Sequence, residues 1–287
     1  MRLKAFTLIE LLVVIAVIAL LIAILIPALK IAKRKAATAV CLTNTKNLSL
    51  GWFMYQENNG GWIVGGSMEK TYKGTKIGWI RKPRTVDGKE RNWWYGGEVT
   101  DEDEIRGIED GSLYPYLKSP KVLHCPADNV RTNFFYPPDS RSFASYAMPA
   151  CLNGTDGYGG KKVTKFGEIR NPSGKYNFVE TAEERPYNGQ GQFLMFMTKA
   201  GGASSGYVVR GYAWKWWSPL AVNHGDSSAF GYCDGHAALR KWRDKYTIFR
   251  ANKLNITANG TYGHDETTPA NQTDDIGFMA RGWVLGK

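Results

Sequence analysis

The feature that most constrains this chain is an apolar run near its N-terminus, residues 6–29, which holds one charged residue, Glu10, over its 24 positions. A helix rises about 1.5 Å per residue, so the run extends roughly 36 Å and can cross a hydrocarbon core of about 30 Å. A carboxylate inside such a core costs about 2.5 kcal/mol or more unless it is paired or neutralised. We therefore expect a membrane-spanning helix in which Glu10 needs a partner.

A cation at the start of a helix is the nearest partner for Glu10. If the chain is cut between Ala5 and Phe6, the new α-amino group of Phe6 lies one turn from Glu10. The same amine can lie beside the Glu10 of a neighbouring copy that is shifted along the helix axis. Cleavage therefore supplies the charge that the apolar run lacks.

The sequence KAFTLIE at positions 4–10 resembles the processing site of type IV prepilins and type II secretion pseudopilins. The resemblance implies that a prepilin peptidase removes the basic leader, that the new amine of Phe6 is methylated, and that Glu10 guides subunits into a filament. Pro27 falls where this family commonly has a helix-kinking proline. The family usually has glycine before the cut, whereas this chain has Ala5, which is small enough to be tolerated.

Two simpler interpretations of the apolar run compete with this one. A secretory signal peptide normally has an apolar region of only about 7 to 15 residues. A plain single-pass anchor fits the length but gives no reason for Glu10. Positive-inside counting alone favours the orientation opposite to that of a prepilin, because four basic residues follow the run at positions 30–35. We give the prepilin resemblance more weight than the count of basic residues.

Composition bounds the part of the chain that lies outside the membrane. The net charge of +11 comes from 37 basic against 26 acidic residues, dispersed apart from the cluster at positions 30–35. Lipid headgroups explain that cluster more simply than DNA does, so we expect contact with membrane lipid and no nucleic-acid partner. The 32 glycines and the aromatic share of 13% favour a loop-rich exterior domain that contains β-structure.

The helical pattern continues past the apolar run and ends at an Asn-Asn-Gly-Gly sequence, positions 58–61. One face carries residues that recur at steps of four, three, four and three: Cys41, Thr45, Leu48, Trp52 and Tyr55. We expect this face to pack on the domain that follows.

These features predict an α+β fold, and the prepilin resemblance implies that it is pilin-like. A leader at residues 1–5 precedes one long helix, which has a transmembrane half, residues 6–29, and an amphipathic half, residues 30–58. An extracytoplasmic globular head, residues 59–287, packs an antiparallel β-sheet with long loops on the amphipathic half.

Three stretches of the head have recognisable patterns. Residues 101–108 are acidic and predict a helical turn, and residues 177–180 predict a buried strand. Residues 229–233 and 237–242 predict a hairpin, because Asp-Gly between them permits positive φ in a tight turn.

The strongest downstream motif is a histidine, nine residues and then Asp-Gly, which resembles the processing-associated signature of a group of large pseudopilin-like proteins. Four side chains in and beside it can bind a metal: His224, Asp226, Asp234 and His236. Asp226 with Asp234 can hold Ca²⁺, and major pseudopilins are known as a group for a calcium site in a C-terminal loop. The alternative is that His224 braces the hairpin and that Asp234 is a turn residue.

Four cysteines stand at positions 41, 125, 151 and 233, and an exterior compartment allows disulfide bonds. A bond between Cys41 and Cys125 would staple the helix to the sheet, whereas Cys151 and Cys233 can equally be buried thiols. No Cys-x-x-Cys spacing indicates zinc.

Three tryptophans, Trp214, Trp216 and Trp217, stand almost together. Exposed aromatic faces suit glycans or subunit contacts, but large aromatic side chains also dominate cores and interfaces. Both interpretations stay open, with core packing and lateral filament contacts favoured.

The leading hypothesis is a structural subunit of a type IV pilus-like or type II secretion pseudopilus filament. The resemblance implies that it sits in the bacterial inner membrane as a single pass and then joins a periplasmic or cell-surface filament. Its partners are prepilin peptidase, an inner-membrane assembly platform and other pilin-like subunits or its own copies. Alternatives are a tip subunit that binds polysaccharide through its tryptophans, and a membrane-tethered hydrolase that uses His224 and Asp234. We expect no enzyme, since no nucleophile elbow, P-loop or dinucleotide motif is present.

Overall fold

The computed structural model describes residues 7–68, 70–91, 99–128, 143–154, 162–181, 191–199, 207–209, 211–218, 220–252, 268–269 and 271–284. Within these residues, one long helix leads into a head of short helices and three β-sheets. The predicted α+β class with a long N-terminal helix is therefore confirmed.

The long helix, α1 (Leu8–Asn58), has 51 residues, which is about 76 Å at the standard rise. Its first part is exposed on every side, whereas one face of its second part packs into the head. The buried residues include the whole predicted face: Cys41, Thr45, Leu48, Trp52 and Tyr55. The chain leaves the helix after Asn58, and Gly60 and Gly61 adopt positive φ there.

The other elements of the described chain are short. The helices are α2 (Asp101–Glu109), α3 (Tyr114–Leu117), α4 (Lys245–Asn252) and α5 (Asp274–Gly282), with 3₁₀ helices at Pro120–Leu123, Phe166–Glu168 and Pro172–Gly174. The strands are β1 (Thr71–Tyr72), β2 (Thr75–Lys76), β3 (Tyr146–Pro149), β4 (Tyr176–Glu180), β5 (Gln192–Phe193), β6 (Met195–Lys199), β7 (Tyr207–Val209), β8 (Tyr212–Trp216), β9 (Ser227–Tyr232) and β10 (Ala237–Lys241). The predicted helical turn and buried strand correspond to α2 and β4 and are confirmed.

The main sheet has five strands in the order β10-β9-β4-β3-β5. Its neighbours are antiparallel except β3 and β5, which are parallel. Strand β4 is central, and every residue in it is buried. Strands β9 and β10 form the predicted hairpin, and Gly235 in its turn has a φ of 91° that a side chain would strain.

A second antiparallel sheet, β6-β8-β7, and helix α5 close the other side of the core. Trp214 of β8 makes an edge-on ring contact with Trp283, just after α5. Two side chains at the start of β4 hold α5 in place: Lys175 Nζ donates to the Trp283 carbonyl at 2.9 Å, and the Tyr176 hydroxyl donates to the Met279 carbonyl at 2.7 Å. The C-terminal segment thus completes the core.

Helix α1 crosses β4 and β9 at close range. Ser49 Oγ of the helix donates to Asn177 Oδ1 of β4, 2.8 Å away, and both residues are fully buried. A Cβ atom added to Gly231 of β9 would overlap Ser49 Oγ and lie 2.9 Å from Asn177 Oδ1. Glycine is therefore needed here, because a side chain would push the helix away from the sheet.

Gly231→Ala should lower the thermal stability of the head, since its methyl group enters this packed crossing. Overpacking of this kind costs about 1–3 kcal/mol, a fall of several degrees in Tm for a domain of this size. Thermal unfolding of the full chain in detergent, followed by near-UV circular dichroism, measures the change. Gly167→Ala is the matched control, because a Cβ atom there meets nothing within 4 Å. Equal melting of the two variants would argue against the close crossing.

Candidate functional site

Helix α1 presents a large apolar surface that no described part of the chain covers. Every residue from 7 to 36 is exposed, and α1 is the one described helix long and apolar enough to cross a membrane. Residues 8–29 extend about 33 Å, close to the ~30 Å of a hydrocarbon core. Monomeric soluble proteins rarely expose such a surface to water. It is suited to lipid or to the apolar helices of other subunits.

The start of α1 is built around Thr7 and Glu10. The Glu10 N–H donates to Thr7 Oγ1 at 3.3 Å, while Glu10 Oε2 accepts from the Thr7 backbone N–H at 2.9 Å and from its hydroxyl at 2.8 Å. This reciprocal arrangement is a capping box, which satisfies backbone donors at a helix start. Glu10 therefore has a partner in its own chain. The sequence argument missed Thr7, although Thr-x-x-Glu before an apolar run is the signal for it.

The predicted cleavage and methylation residues, Ala5 and Phe6, lie outside the described part of the chain. Pro27 lies inside α1, and the helix continues through it although proline has no N–H to bond the Ala23 carbonyl. Exposed basic side chains, which we call the basic collar, follow the apolar residues: Lys30, Lys33, Arg34 and Lys35. The basic collar lies where the apolar surface ends, at the height of anionic headgroups for a helix that spans the membrane.

The four side chains predicted as metal ligands do not come together. His224 and Asp226 precede β9, whereas Asp234 and His236 lie in the turn after it, so the 6 residues of β9 separate the two pairs by about 20 Å. The prediction that Asp226 and Asp234 share a Ca²⁺ ion is therefore wrong, because the strand places them at its opposite ends. Asp234 Oδ1 instead accepts from the His236 backbone N–H at 3.3 Å, which is the role of a turn residue.

The fold instead brings His224 together with two cysteines and a carboxylate. His224 Nε2 lies 3.4 Å from Cys125 Sγ and 3.3 Å from Glu180 Oε1. The side chains of His224 and Glu180 are 1% and 0% exposed. With a cysteine of α1 they form a buried group whose ligand atoms all lie within 4.8 Å of one another, which we call the junction cluster: Cys41, Cys125, Glu180 and His224.

Each member of the junction cluster comes from a different element, so the cluster joins the long helix to three parts of the head. They are α1 for Cys41, the segment after the first 3₁₀ helix for Cys125, the end of β4 for Glu180 and the loop before β9 for His224. Asn44 of α1 also holds the segment that carries Cys125, because its side-chain amide donates to the His124 carbonyl at 3.0 Å.

Hydrogen bonds fix the orientation of the imidazole and the carboxylate. Thr38 Oγ1 lies 3.1 Å from His224 Nδ1 and donates its one proton to the Arg34 carbonyl, 2.9 Å away. His224 Nδ1 must therefore donate to Thr38, which turns Nε2 toward the cluster. Glu180 Oε2 accepts from the Ala229 N–H at 2.9 Å.

Two groups of the cluster, His224 and Cys125, have raised pKa values. Burial lowers the pKa of His224, but hydrogen bonds to Cys125 and Glu180 outweigh burial and raise the pKa to about 10. The pKa of the Cys125 thiol is raised well above its usual range by its hydrogen bond to Cys41 and by burial. Protons therefore occupy His224 Nε2 and Cys125 Sγ unless another cation replaces them. Sulfur, nitrogen and carboxylate oxygen are donors that can hold a transition metal.

The structure corrects the prediction of a disulfide bond between Cys41 and Cys125. Both are buried free thiols, as are Cys151 and Cys233. The predicted pair does meet at the junction of helix and sheet, but as two thiols beside a histidine and a carboxylate. Sequence reasoning missed Glu180, although a carboxylate at the end of a fully buried strand is itself a signal, since it needs a buried partner.

The tryptophans predicted as glycan contacts are part of the core. Trp214 and Trp216 are each 1% exposed, and their rings pack edge-on against Trp283 and Trp242. The glycan interpretation is therefore wrong for these two, because no ligand can reach their faces. Trp217 is half-buried and packs against the same core.

Trp216→Ala should destabilise the head, since a fully buried ring is removed from an aromatic cluster. Such truncations cost about 3–5 kcal/mol, and the thermal unfolding described for Gly231 measures the loss. Trp217→Ala is the control on the adjacent, half-buried ring and should cost clearly less. An unchanged Tm for Trp216→Ala, together with loss of binding to a polysaccharide array, would restore the glycan interpretation.

Comparison with known proteins agrees with this geometry at the N-terminus. Residues 1–26 match the family model for the prokaryotic N-terminal methylation motif. No curated protein and no solved structure matches the chain. The motif and the long apolar helix support a type IV prepilin-like protein that is anchored in a membrane. The match does not reach the head, so the resemblance at His224 and Asp234 stays a prediction.

Proposed function

We propose that this chain is a structural subunit of a type IV pilus-like or type II secretion pseudopilus filament. It is held in the bacterial inner membrane by α1, cut before Phe6 by a prepilin peptidase and passed to an inner-membrane assembly platform. The observation that carries the proposal is the exposed apolar half of α1, which begins with a capping box that contains the carboxylate of Glu10. The capping box alone does not explain Glu10, because a neutral glutamine would close it without placing a charge in the membrane.

The step from membrane to filament needs a contact other than apolar burial. Lipid tails and a bundle of helices are about equally apolar, so the hydrophobic effect alone does not favour assembly. An ion pair in the low-dielectric core of a filament does favour it, because water does not screen the charges there. The amine at Phe6 of one subunit and Glu10 of a neighbour form that pair, and it fixes the axial register between the two helices.

The capping box prepares Glu10 for this contact. Thr7 binds Glu10 Oε2 through its backbone N–H and its hydroxyl, so the carboxylate is held at the helix start and does not swing into the lipid. A neighbouring amine thus meets a pre-oriented acceptor. The amphipathic half of α1 carries the head, which is displayed on the outside of the filament.

The two alternative functions receive no support from the described geometry. A polysaccharide-binding head was based on Trp214, Trp216 and Trp217; the first two are in the core and the third is half-buried against it. A hydrolase was based on His224 and Asp234, which lie before and after β9.

The N-terminal mass of the protein recovered from its native host tests processing. We expect a chain that begins at Phe6 and carries one methyl group on its α-amine. The same measurement on an Ala5→Gly variant is the control for the residue before the cut, since glycine is usual there, and it should give the same product. Wild-type protein that still carries Met1 would show that no leader is removed.

Assembly tests the role of Glu10 separately from its role as a cap. Glu10→Gln keeps a side chain that can close the capping box but removes the charge. We expect the filament fraction sheared from cells to fall at least about tenfold, the effect of ~1.4 kcal/mol per subunit contact. The amount of subunit in the membrane should not change.

Two variants serve as controls for this experiment. Thr7→Ala removes the hydroxyl of the cap but keeps the charge and the backbone N–H that orients it, so it should cost about 1 kcal/mol at the helix start and lower the filament fraction less than Glu10→Gln does. Glu57→Gln removes an exposed carboxylate from the far end of the same helix and should behave as wild type. Normal filaments from Glu10→Gln would rule out the ion pair as the basis of assembly.

A further inference from the structure

We propose that the junction cluster binds one Zn²⁺ ion that cross-links the membrane helix to the sheet of the head. Its four ligands are Cys41 Sγ, Cys125 Sγ, Glu180 Oε1 and His224 Nε2. The proposal does not depend on filament assembly, because every ligand belongs to one chain.

The distances between the donors fit a tetrahedral site. Zinc bonds of about 2.3 Å to sulfur and 2.0–2.2 Å to nitrogen and oxygen give ligand-to-ligand edges of ~3.3 to ~3.8 Å. The observed edges at His224 Nε2 are 3.4 Å to Cys125 Sγ and 3.3 Å to Glu180 Oε1. Since all four atoms lie within 4.8 Å of one another, the longest edge has to shorten by no more than about 1 Å.

The surrounding hydrogen bonds have the arrangement of a supported metal site. Metal-bound histidines almost always donate their other ring N–H to an acceptor, and His224 Nδ1 has Thr38 Oγ1 in that place, at 3.1 Å. The Tyr146 hydroxyl donates to Cys41 Sγ at 3.0 Å and helps to orient the sulfur. The Asn223 side chain donates to Glu180 Oε1 at 3.1 Å and helps to orient the carboxylate.

Charge balance shows which protons the zinc ion replaces. Binding releases the two thiol protons and the imidazolium proton to solvent, and leaves two thiolates, one carboxylate and a neutral imidazole around Zn²⁺. The net charge of the site is then −1. Without a cation, the two thiols lie in the core against a buried histidine–carboxylate pair.

The donor set selects the class of metal. Calcium takes six to eight oxygen ligands, and this cluster offers one carboxylate. Two sulfurs, one nitrogen and one oxygen in a closed, buried site suit zinc, which needs no open position when its role is structural. The ion therefore fastens α1 to the end of β4 and to the loop before β9.

The metal content of the intact protein tests the site. The full chain is purified in detergent without a polyhistidine tag or chelator, supplied with equimolar Zn²⁺, desalted and analysed by plasma mass spectrometry. We expect roughly one zinc ion per chain, as for a single four-ligand site. Cobalt added to the metal-stripped chain should give the thiolate-to-cobalt charge-transfer band and the strong visible bands of a tetrahedral site.

Variants assign the ion to this cluster. Cys125→Ser and His224→Ala should each lower retained zinc at least about tenfold and abolish the charge-transfer band or shift it. Cys233→Ser removes a buried thiol outside the cluster, and His236→Ala removes an exposed histidine from the turn after β9; both should retain the ion. Near-UV circular dichroism of each variant shows whether its head is folded.

Three results would overturn the proposal. One is wild-type chain that retains no zinc and gives no cobalt band, a result that needs no variant to fold. Another is a Cys41–Cys125 disulfide in protein taken from cells, seen by mass spectrometry without reductant. The third is zinc that folded Cys125→Ser retains in full.

Discussion

Helix α1 has to be stable both where its apolar half meets lipid and where its second half packs into the head. The head is arranged around the point where the first environment changes to the second. From residue 7 to residue 36 every residue is exposed, and from Cys41 onward one face is buried. A helix can pass between the two because it satisfies its backbone hydrogen bonds internally in both. The direction in which the head faces is then set by where α1 crosses the sheet, at Ser49, Asn177 and Gly231.

The change of surroundings occupies less than two turns of helix. The basic collar ends at Lys35, Thr38 reaches the head through His224, and Cys41 is fully buried. These positions lie within about 9 Å along the axis. The polarity of the side chains falls in the same order along the helix. The charged collar faces the lipid headgroups, the Thr38 hydroxyl lies at the edge of the head, and the Cys41 thiol lies inside it. The junction cluster is therefore the first part of the head that water does not reach.

Much of this fold could be predicted because its signals are local. The apolar run, the buried face of α1, strand β4 and the β9–β10 hairpin each follow from spacing within one segment. The hairpin also shows the limit, because Asp226 and Asp234 are close in sequence and a strand separates them in space. The junction cluster is the reverse case, since its members are close in space but come from four separate elements. No periodicity records such a meeting, nor the packing of Trp214 against Trp283 and of Trp216 against Trp242.

The place of α5 has a consequence for how the head is made. Lys175 and Tyr176 find their buried partners more than a hundred positions later in the chain: the separations are 108 residues to Trp283 and 103 residues to Met279. Contacts this distant form late, since the loop between them must close first. A chain that is made from its N-terminus onward thus leaves the side of β4 that faces α5 uncovered until the last segment has been made. Completion of the chain and completion of the head therefore coincide, and a chain that ended before α5 would leave the Tyr176 side of β4 without its packing partners.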